Sequence, residues 1–201
     1  VEGLNVKAMY SYDFSTTDNS EYKRAYNLFS RNADGSLESY KRNDPGNVRR
    51  STDPSHGTVF QASVNYNHKF AATHNVSAMV MYESTYNKWD NFFASRVMML
   101  DSQYLFAGEE ENQVGSMGGI GDMSRRAVIA HVNYDYKGKY IIDVAGRADA
   151  SSKFPAAKRW GFFPSVSAGW RMSEEPFIKN NAPWITNLKL RASWGMMGDD
   201  G

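Results

Sequence analysis

The stretch "KRWGFFPSVSAGWRMSEEPF", Lys158–Phe177, decides the fold of this chain. Successive side chains of a β-strand point to opposite faces of the sheet. With that period, the even-numbered residues from 162 to 170 are apolar and include Phe162, Val166 and Trp170. The odd-numbered residues are mostly small or polar and end in the charged Arg171. One face of this predicted strand therefore suits hydrocarbon, and the other suits water.

The same alternation recurs in seven segments, which predicts an all-β chain of antiparallel strands. The segments span residues 4–14, 60–70, 75–86, 128–136, 140–149, 162–172 and 188–195. In each segment the even-numbered residues form the apolar face. We therefore predict a twisted meander in which the even-numbered residues face lipid.

The connections between these segments alternate in length. Residues 15–57 and 87–124 are predicted to be long polar insertions, whereas 71–74 and 137–139 are predicted to be tight turns. Transmembrane barrels have short periplasmic turns and long extracellular loops. The pattern therefore predicts a wall segment of an antiparallel transmembrane β-barrel, about seven strands of a larger barrel.

Aromatic residues collect near both ends of the predicted strands, and aliphatic residues such as Val64, Val80 and Val144 lie between them. Lipid-facing barrel surfaces have an apolar band between two aromatic girdles. The residues assigned to these girdles are Tyr134, Tyr136, Tyr140, Phe162, Trp170 and Trp194. The strands of a soluble β-sandwich also alternate between apolar and polar residues. A soluble β-sandwich that binds glycans is therefore the alternative architecture.

The opposite face holds ionisable residues in nearly every predicted strand. Burying them in a sealed core would cost several kcal/mol for each ion. We therefore expect them to face a wet lumen or the plug of a barrel. The residues assigned to this lumenal surface are Asp143, Arg147, Asp149, Arg171, Lys189 and Arg191.

Composition narrows the possible functions. The chain has 201 residues, a net charge of +1, 14% aromatic residues and no cysteine. A nearly neutral chain is not suited to general binding of nucleic acid, and the lack of cysteine excludes disulfides and thiolate metal ligands. No segment has the ~18 apolar residues of a membrane helix. The chain begins inside a predicted strand, so we expect it to be a fragment of a longer protein.

Three motifs resemble a known family. They are "VNYDYKGKYIIDVAGRADASSKF" (Val132–Phe154), "RWGFFPSVSAGWRMSEEPFIKN" (Arg159–Asn180) and "ITNLKLRASWGMMGDDG" (Ile185–Gly201). In sequence, order and spacing, they resemble the barrel of SusC/RagA-like TonB-dependent outer-membrane transporters of Bacteroidota. The resemblance implies that residues 1–201 are part of the β-barrel domain, with the plug and N-terminal regions absent.

The same resemblance implies a location in the bacterial outer membrane and a barrel of roughly 22 strands. It implies TonB-dependent import of large nutrients, either oligosaccharides or peptides, with no chemistry on the substrate and no cofactor. The implied partners are outer-membrane lipid, a SusD-like surface lipoprotein that acts as a lid, and the TonB–ExbB–ExbD complex. That complex would be reached through the absent N-terminal part.

The two predicted insertions contain more aromatic residues than solvated loops need. Sugar rings stack on aromatic faces, so these residues are candidates for substrate binding. The candidates are Tyr22, Tyr26, Tyr40, Trp89, Phe92, Phe93 and Tyr104. Packing against a lid protein or against each other is the competing interpretation.

Other patterns are weaker. The polar face also contains a serine, a histidine and an aspartate: Ser165, His131 and Asp135. These residue types could form the catalytic triad of an outer-membrane β-barrel hydrolase, which is the alternative function. Nothing in their spacing along the chain links the three residues. The glycine-rich "GSMGGIGD", Gly115–Asp122, is predicted to be a flexible loop because it lacks the lysine of a phosphate-binding loop. The acidic run "GEEEN", Gly108–Asn112, lacks the spacing of calcium ligands, so no metal site is predicted.

The segment "SEEPFIKNNAPW", Ser173–Trp184, joins the last two predicted strands and is longer than a hairpin turn. We predict a short helical turn that is capped by Ser173 and has Pro176 in its first turn. Phe177 is expected to tuck under the barrel rim. The segment is predicted to be a structural clasp on the periplasmic side that fixes the register of two strands, and not a TonB-binding element.

Overall fold

A computed structural model describes residues 2–198, without the side chain of Met117. The described chain is built mainly from antiparallel β-strands. The strands are β1 (Leu4–Ser15), β2 (Asp18–Lys23), β3 (Tyr26–Arg31), β4 (Leu37–Arg42), β5 (Gly46–Thr52), β6 (Ser55–Phe70), β7 (His74–Met98), β8 (Val114–Tyr136), β9 (Tyr140–Ser151), β10 (Trp160–Arg171) and β11 (Lys189–Gly195).

Nine of the described strands form one sheet, in which seven follow the order β1-β6-β7-β8-β9-β10-β11 and β2 and β5 lie off this path. In this order each strand lies beside the next of the seven along the chain, as in an antiparallel meander. Antiparallel pairing joins β8 to β9, β9 to β10 and β10 to β11. The predicted seven-strand meander is therefore confirmed.

The two predicted insertions, 15–57 and 87–124, nearly coincide with a compact unit of their own, residues 13–56 and 87–122, but they consist largely of strands. Residues 15–57 contain the four strands β2 to β5, and β7 and β8 extend far beyond their predicted ends, to Met98 and from Val114. The glycine-rich segment Gly115–Asp122, predicted to be a flexible loop, lies within β8. Strands continue through these segments, but neither face of the strands is consistently apolar. The alternation of apolar and polar residues that reveals a strand in the sequence is therefore missing there.

The chain forms two compact units. The first contains residues 1–12, 57–86 and 123–201, and the second contains 13–56 and 87–122. In the second unit β5 pairs with β2 and with β7. The buried side chains of this unit include Val48, Ala94 and Met98, and Val48 is fully buried. The guanidinium of Arg49 lies 3.9 Å from the ring centre of Phe93.

In the first unit, the two predicted tight turns are present. Ala71 and Ala72 have φ angles of 46° and 56°, and the N–H of Thr73 donates to the carbonyl of Phe70. In the other turn, Lys137 and Gly138 have φ angles of 56° and 68°. Positive φ at both central residues is the geometry of a type I′ turn, whose twist matches that of the flanking strands. Short connections thus reverse the chain at these two points.

The even-numbered face of the first unit is apolar and exposed. Val64, Val80 and Val144 have exposures of 46%, 54% and 48%. The strand register places Val132 and Val166 on either side of Val144, in one row across three strands. A shallow depression of about 430 Å3 on this face is lined mainly by such aliphatic residues. This arrangement agrees with the predicted apolar belt of a barrel wall.

The connection between β10 and β11 contains a 3₁₀ turn, Met172–Glu174, and a short helix α1, Pro176–Asn181. Pro176 occupies the first turn as predicted, but the cap prediction was wrong. The N-cap residue is Glu175, and the Oγ of Ser173 is buried without a hydrogen-bond partner among the described residues. The extra 3₁₀ turn moves Ser173 away from the start of the helix. Within residues 2–198, no helix has the length and apolar character needed to cross a membrane.

Candidate functional site

The polar face of the first unit is organised around Arg147. Its Nε donates to both carboxylate oxygens of Asp149 at 2.7 Å, and its NH2 group lies 3.9 Å from Glu83. Glu83 also accepts a 2.5 Å hydrogen bond from Gln61. Side chains of β6, β7 and β9 are therefore joined across the sheet. Such a network holds the Arg147 guanidinium in one orientation.

Asp143 belongs to a second cluster on the same face. Its Oδ2 lies 2.9 Å from Nε2 of His131 and accepts a 3.1 Å hydrogen bond from Asn133. Asp135 lies elsewhere, because its carboxylate accepts from the backbone N–H of Gly138 in the tight turn. The structure therefore does not bring Asp135 to His131, as the alternative hydrolytic triad requires.

Three more basic residues assigned to the lumen lie towards the short-turn end. Arg171 is directly opposite Lys189, and Arg191 is opposite Gly169. The NH1 group of Arg171 donates to the carbonyl of Gly138 at 3.3 Å. Three basic side chains thus gather at this end of the polar face, and Arg171 is held by the backbone of the neighbouring turn and by Glu174, whose carboxylate lies 3.7 Å from its NH2 group.

A cavity of about 1100 Å3 lies where β9, the connection 152–159 and β10 meet. Most of its strand residues are odd-numbered, so it belongs to the polar face. Five basic and two acidic side chains line it, together with several aromatic and methionine residues. Its lining includes Glu83, Arg125, Arg147, Asp149, Lys158 and Arg159. The cavity combines apolar surface with an excess of positive charge.

An aromatic row crosses the even-numbered face near the short turns. Tyr136, Tyr140 and Trp170 are paired in register, with ring centres 6.3 and 6.5 Å apart. Tyr134 is tied to the row by a 2.7 Å contact between its hydroxyl and Nδ1 of His74.

Phe162 and Trp194 were assigned to the second girdle, at the opposite end of the strands from the aromatic row. The strand register places them at different heights along the sheet. Phe162 is opposite Ala148, whereas Trp194 is opposite Val166 in the aliphatic row. A Cβ at Gly146 would lie 3.2 Å from the Phe162 ring, so the ring covers the glycine backbone. Aromatic side chains protect glycines of sheets in this way.

Residues 3–196 match the family model described as TonB dependent receptor-like, beta-barrel. The chain belongs to this family. Proteins of the family are multi-pass β-barrels of the bacterial outer membrane, which is the location of this receptor segment.

Relatives among curated proteins agree. The chain is 29% identical over 203 residues to TonB-dependent receptor P39 of Formosa agariphila. The alignment covers 98% of this chain and 19% of that receptor. The chain is also 40% identical over 67 residues to TonB-dependent receptor SusC of Bacteroides thetaiotaomicron. That alignment covers 33% of this chain and 7% of SusC. The chain thus spans about a fifth of the length of the receptor P39.

Solved structures show the same fold. A chain from the structure of the RagAB peptide transporter matches with a TM-score of 0.77 at 21% identity, over 97% of this chain and 21% of that chain. A chain from the RagAB peptide importer in the open-open state gives a TM-score of 0.76 at 20% identity, over 97% of this chain and 20% of that chain. The strands therefore have the arrangement of a wall segment in a TonB-dependent receptor barrel.

In this receptor segment, the carboxylate of Glu175 connects the aromatic row to helix α1. One oxygen accepts hydrogen bonds from the Tyr140 hydroxyl at 2.7 Å and the Trp170 indole at 3.2 Å. The other lies 3.3 Å from the Lys139 ammonium. Glu175 is 9% exposed. The sequence offered no signal for this junction beyond an acidic residue before a proline.

The hydrogen bond from Tyr140 is the main reason that the pKa of Glu175 lies below its ordinary value of 4.5, and the Trp170 indole and Lys139 add to it. A lowered folded-state pKa means that the stabilisation is complete above the ordinary pKa and is lost as the pH falls through the folded-state value. We expect Glu175→Gln to lower the unfolding temperature of the full-length receptor at neutral pH. The difference from wild type should shrink below pH ~4. An equal difference at every pH would contradict this role for the charge.

The candidate substrate-binding aromatics of the second unit fall into two groups. Three have structural partners within the unit. The Tyr22 hydroxyl donates to Asp101, and Phe93 lies beneath Arg49. The Trp89 side chain covers Gly121, where a Cβ would approach the indole to 2.6 Å. Packing therefore accounts for much of the placement of these three side chains.

The other four candidates are exposed, as is Trp89 at 38%. Tyr26, Tyr40, Phe92 and Tyr104 have exposures of 50%, 44%, 45% and 66%. Tyr26 and Tyr40 lie on one face of the β3–β4 hairpin. Tyr26 is opposite Arg42 in register, and Tyr40 is two residues from Arg42 in β4, so all three side chains share that face. The Arg42 guanidinium is 5.5 Å from the Tyr40 ring centre. This face of the hairpin can stack on a planar or ring-shaped ligand.

Within the described part of the chain, no group of three or more His, Cys, Asp or Glu side chains is arranged to hold a metal ion. In the acidic run Gly108–Asn112, one carboxylate oxygen of Glu109 accepts a 2.6 Å hydrogen bond from the side-chain amide of Asn112.

Proposed function

We propose that the full receptor imports large nutrients across the outer membrane, driven by TonB, and that this chain supplies part of its barrel wall and outer surface. The observation that carries the proposal is the match of residues 3–196 to the TonB-dependent receptor barrel, on a sheet with one apolar and one ionisable face. An apolar face suits lipid, and the polar face suits a lumen containing water and a plug.

Among these relatives, only RagAB has a description that names a substrate class. SusC is named as a TonB-dependent receptor, and RagAB is described as a peptide transporter. We propose that the substrate is an oligosaccharide or a peptide, and that a SusD-like surface lipoprotein pairs with the receptor. Contact with the TonB–ExbB–ExbD complex would be made by a part of the receptor that precedes this chain. The exposed Tyr26, Tyr40, Phe92 and Tyr104 are the proposed substrate contacts.

The decisive experiment compares the full-length receptor with a variant that lacks only its TonB-contacting segment. Both are produced in a host strain from which the receptor gene has been deleted, and uptake of fluorescently labelled oligosaccharides and peptides is measured. We expect the variant to reach the outer membrane in normal amounts and to lose uptake. Uptake that survives in the variant would contradict energised import.

We propose further that the receptor performs no chemistry on its substrate. Alanine at His131 removes the side chain that is held by Asp143 on the polar face. We expect uptake to change little, with no loss of any hydrolytic activity of the purified receptor. A hydrolytic activity that disappears in His131→Ala and is retained in Asp135→Asn would support an enzyme built on the His131–Asp143 pair.

A further inference from the structure

The cavity in the first unit has the charge and the rigidity of an anion-binding site. Five basic and two acidic side chains line its volume of about 1100 Å3. We propose that it binds a carboxylate or sulfate group of the transported substrate. This inference deepens the proposed import function and depends on it, because it assigns a charge class to the substrate.

Arg147, one of the residues that line the cavity, provides an oriented cation. Asp149 accepts from its Nε at 2.7 Å, and an oxygen of Glu83 lies 3.9 Å from its NH2 group. Arginine presents several N–H donors in a planar fork that matches carboxylate and sulfate oxygens. A guanidinium that is already held in place loses little conformational freedom when it binds an anion.

The connection from β9 to β10 brings further cations to the cavity and is itself fixed by hydrogen bonds. Ser152 and Ser124 are joined by two hydrogen bonds of 2.9 Å. The Nε of Arg159 donates to the carbonyl of Phe154 at 2.9 Å, and the N–H of Lys158 donates to the carbonyl of Pro155 at 2.8 Å. Lys158 and Arg159 are therefore presented by an ordered connection.

An apolar wall beside these cations is provided by Phe163, which is directly opposite Arg147 in register. The ring lies against Gly161, where a Cβ would be 2.8 Å from the ring, and against Gly198, where it would be 2.0 Å away. Two glycines thus make room for the ring. The cavity offers an aromatic surface next to a positive field, which suits a ring or chain that carries an anionic group.

The test uses the purified full-length receptor in detergent and the fluorescent aromatic trisulfonate pyranine as probe. We expect saturable binding that weakens as salt is added. The double variant Arg125→Gln/Lys158→Gln should bind roughly tenfold more weakly, since each change removes a charged donor. Glu83→Gln removes a negative charge from the lining but keeps a side-chain oxygen that can accept from Arg147, so it should bind more tightly. Lys137→Gln, a loss of positive charge in the tight turn at 137–138, is the matched control and should bind like wild type.

Competition then separates the two anion chemistries. Sucrose octasulfate represents sulfate, a galacturonic acid hexamer represents carboxylate, and sucrose is the neutral control. Displacement of pyranine by either anion but not by sucrose supports the proposal and identifies the preferred group. Gel mobility with and without heating verifies that each variant is folded. If the double variant folds poorly, its two single variants and Glu83→Gln decide the question.

Two results would overturn the proposal. One is the absence of saturable pyranine binding by the wild-type receptor. The other is binding that the double variant, its single variants and Glu83→Gln all leave unchanged. In either case, TonB-dependent uptake of labelled substrate shows separately whether the import function holds, because that assay does not depend on the charge of the cavity.

Discussion

Arginine at Val144 is expected to reduce the amount of folded receptor severely, whereas arginine at the adjacent Ala145 is expected to be tolerated. Val144 lies in the exposed apolar row between Val132 and Val166. A lipid-facing arginine near the bilayer midplane costs about 2–4 kcal/mol in an outer-membrane barrel. Ala145 instead lies between the polar residues His131 and Ser165 on the opposite face.

The pair forms a matched experiment because the two positions are neighbours in one strand and receive the same side chain. The measurement is the fraction of full-length receptor in the outer membrane that shows heat-modifiable gel mobility, together with its unfolding in urea. A lower folded fraction for Val144→Arg alone supports the assignment of the even-numbered face to lipid. Equal losses at both positions, or a greater loss at Ala145, would show that the assignment of faces is wrong.

The same physical contrast explains how much of the fold could be predicted. Where one face meets lipid and the other a polar interior, as around Val64 and Val144, the sequence must alternate, and these strands were found. The second unit lacks that contrast, so β2 to β5 left no period-two signal. Its small core includes Val48, Ala94 and Met98, which come from distant parts of the chain and could not be grouped by spacing.

The candidate site shows a comparable limit. The sequence indicated which residues share the polar face, but it could not indicate their partners. Asp143 contacts His131, and Arg147 joins Asp149 and Glu83, because the register of three strands brings these side chains together. The cavity also depends on the path of residues 152–159, which no pattern in the sequence predicted.

Replacing Ser173–Trp184 with a Gly-Ser hairpin of matched span is expected to lower the yield of folded receptor several-fold and to reduce its heat stability. The replacement removes helix α1 and the Glu175 carboxylate, and so leaves the Tyr140 hydroxyl, the Trp170 indole and the Lys139 ammonium without their shared acceptor. The backbone hydrogen bond from the N–H of residue 173 to the carbonyl of Leu188 is no longer supported by the native path of the segment. Transport per folded molecule is expected to be retained, because this segment is proposed to hold two strands in register and not to contact TonB.

Two single substitutions separate the contribution of Glu175 from the cap that the sequence predicted. Glu175→Ala should reproduce a large part of the loss of heat stability, since it removes the acceptor of three side chains. Ser173→Ala should have little effect, because the Ser173 Oγ has no hydrogen-bond partner among the described residues, whereas loss of a true N-cap costs about 0.5–2 kcal/mol. A destabilised Ser173→Ala receptor would restore the capping interpretation. Normal folding of the hairpin replacement with transport abolished would instead mean that the segment couples the barrel to its energy source.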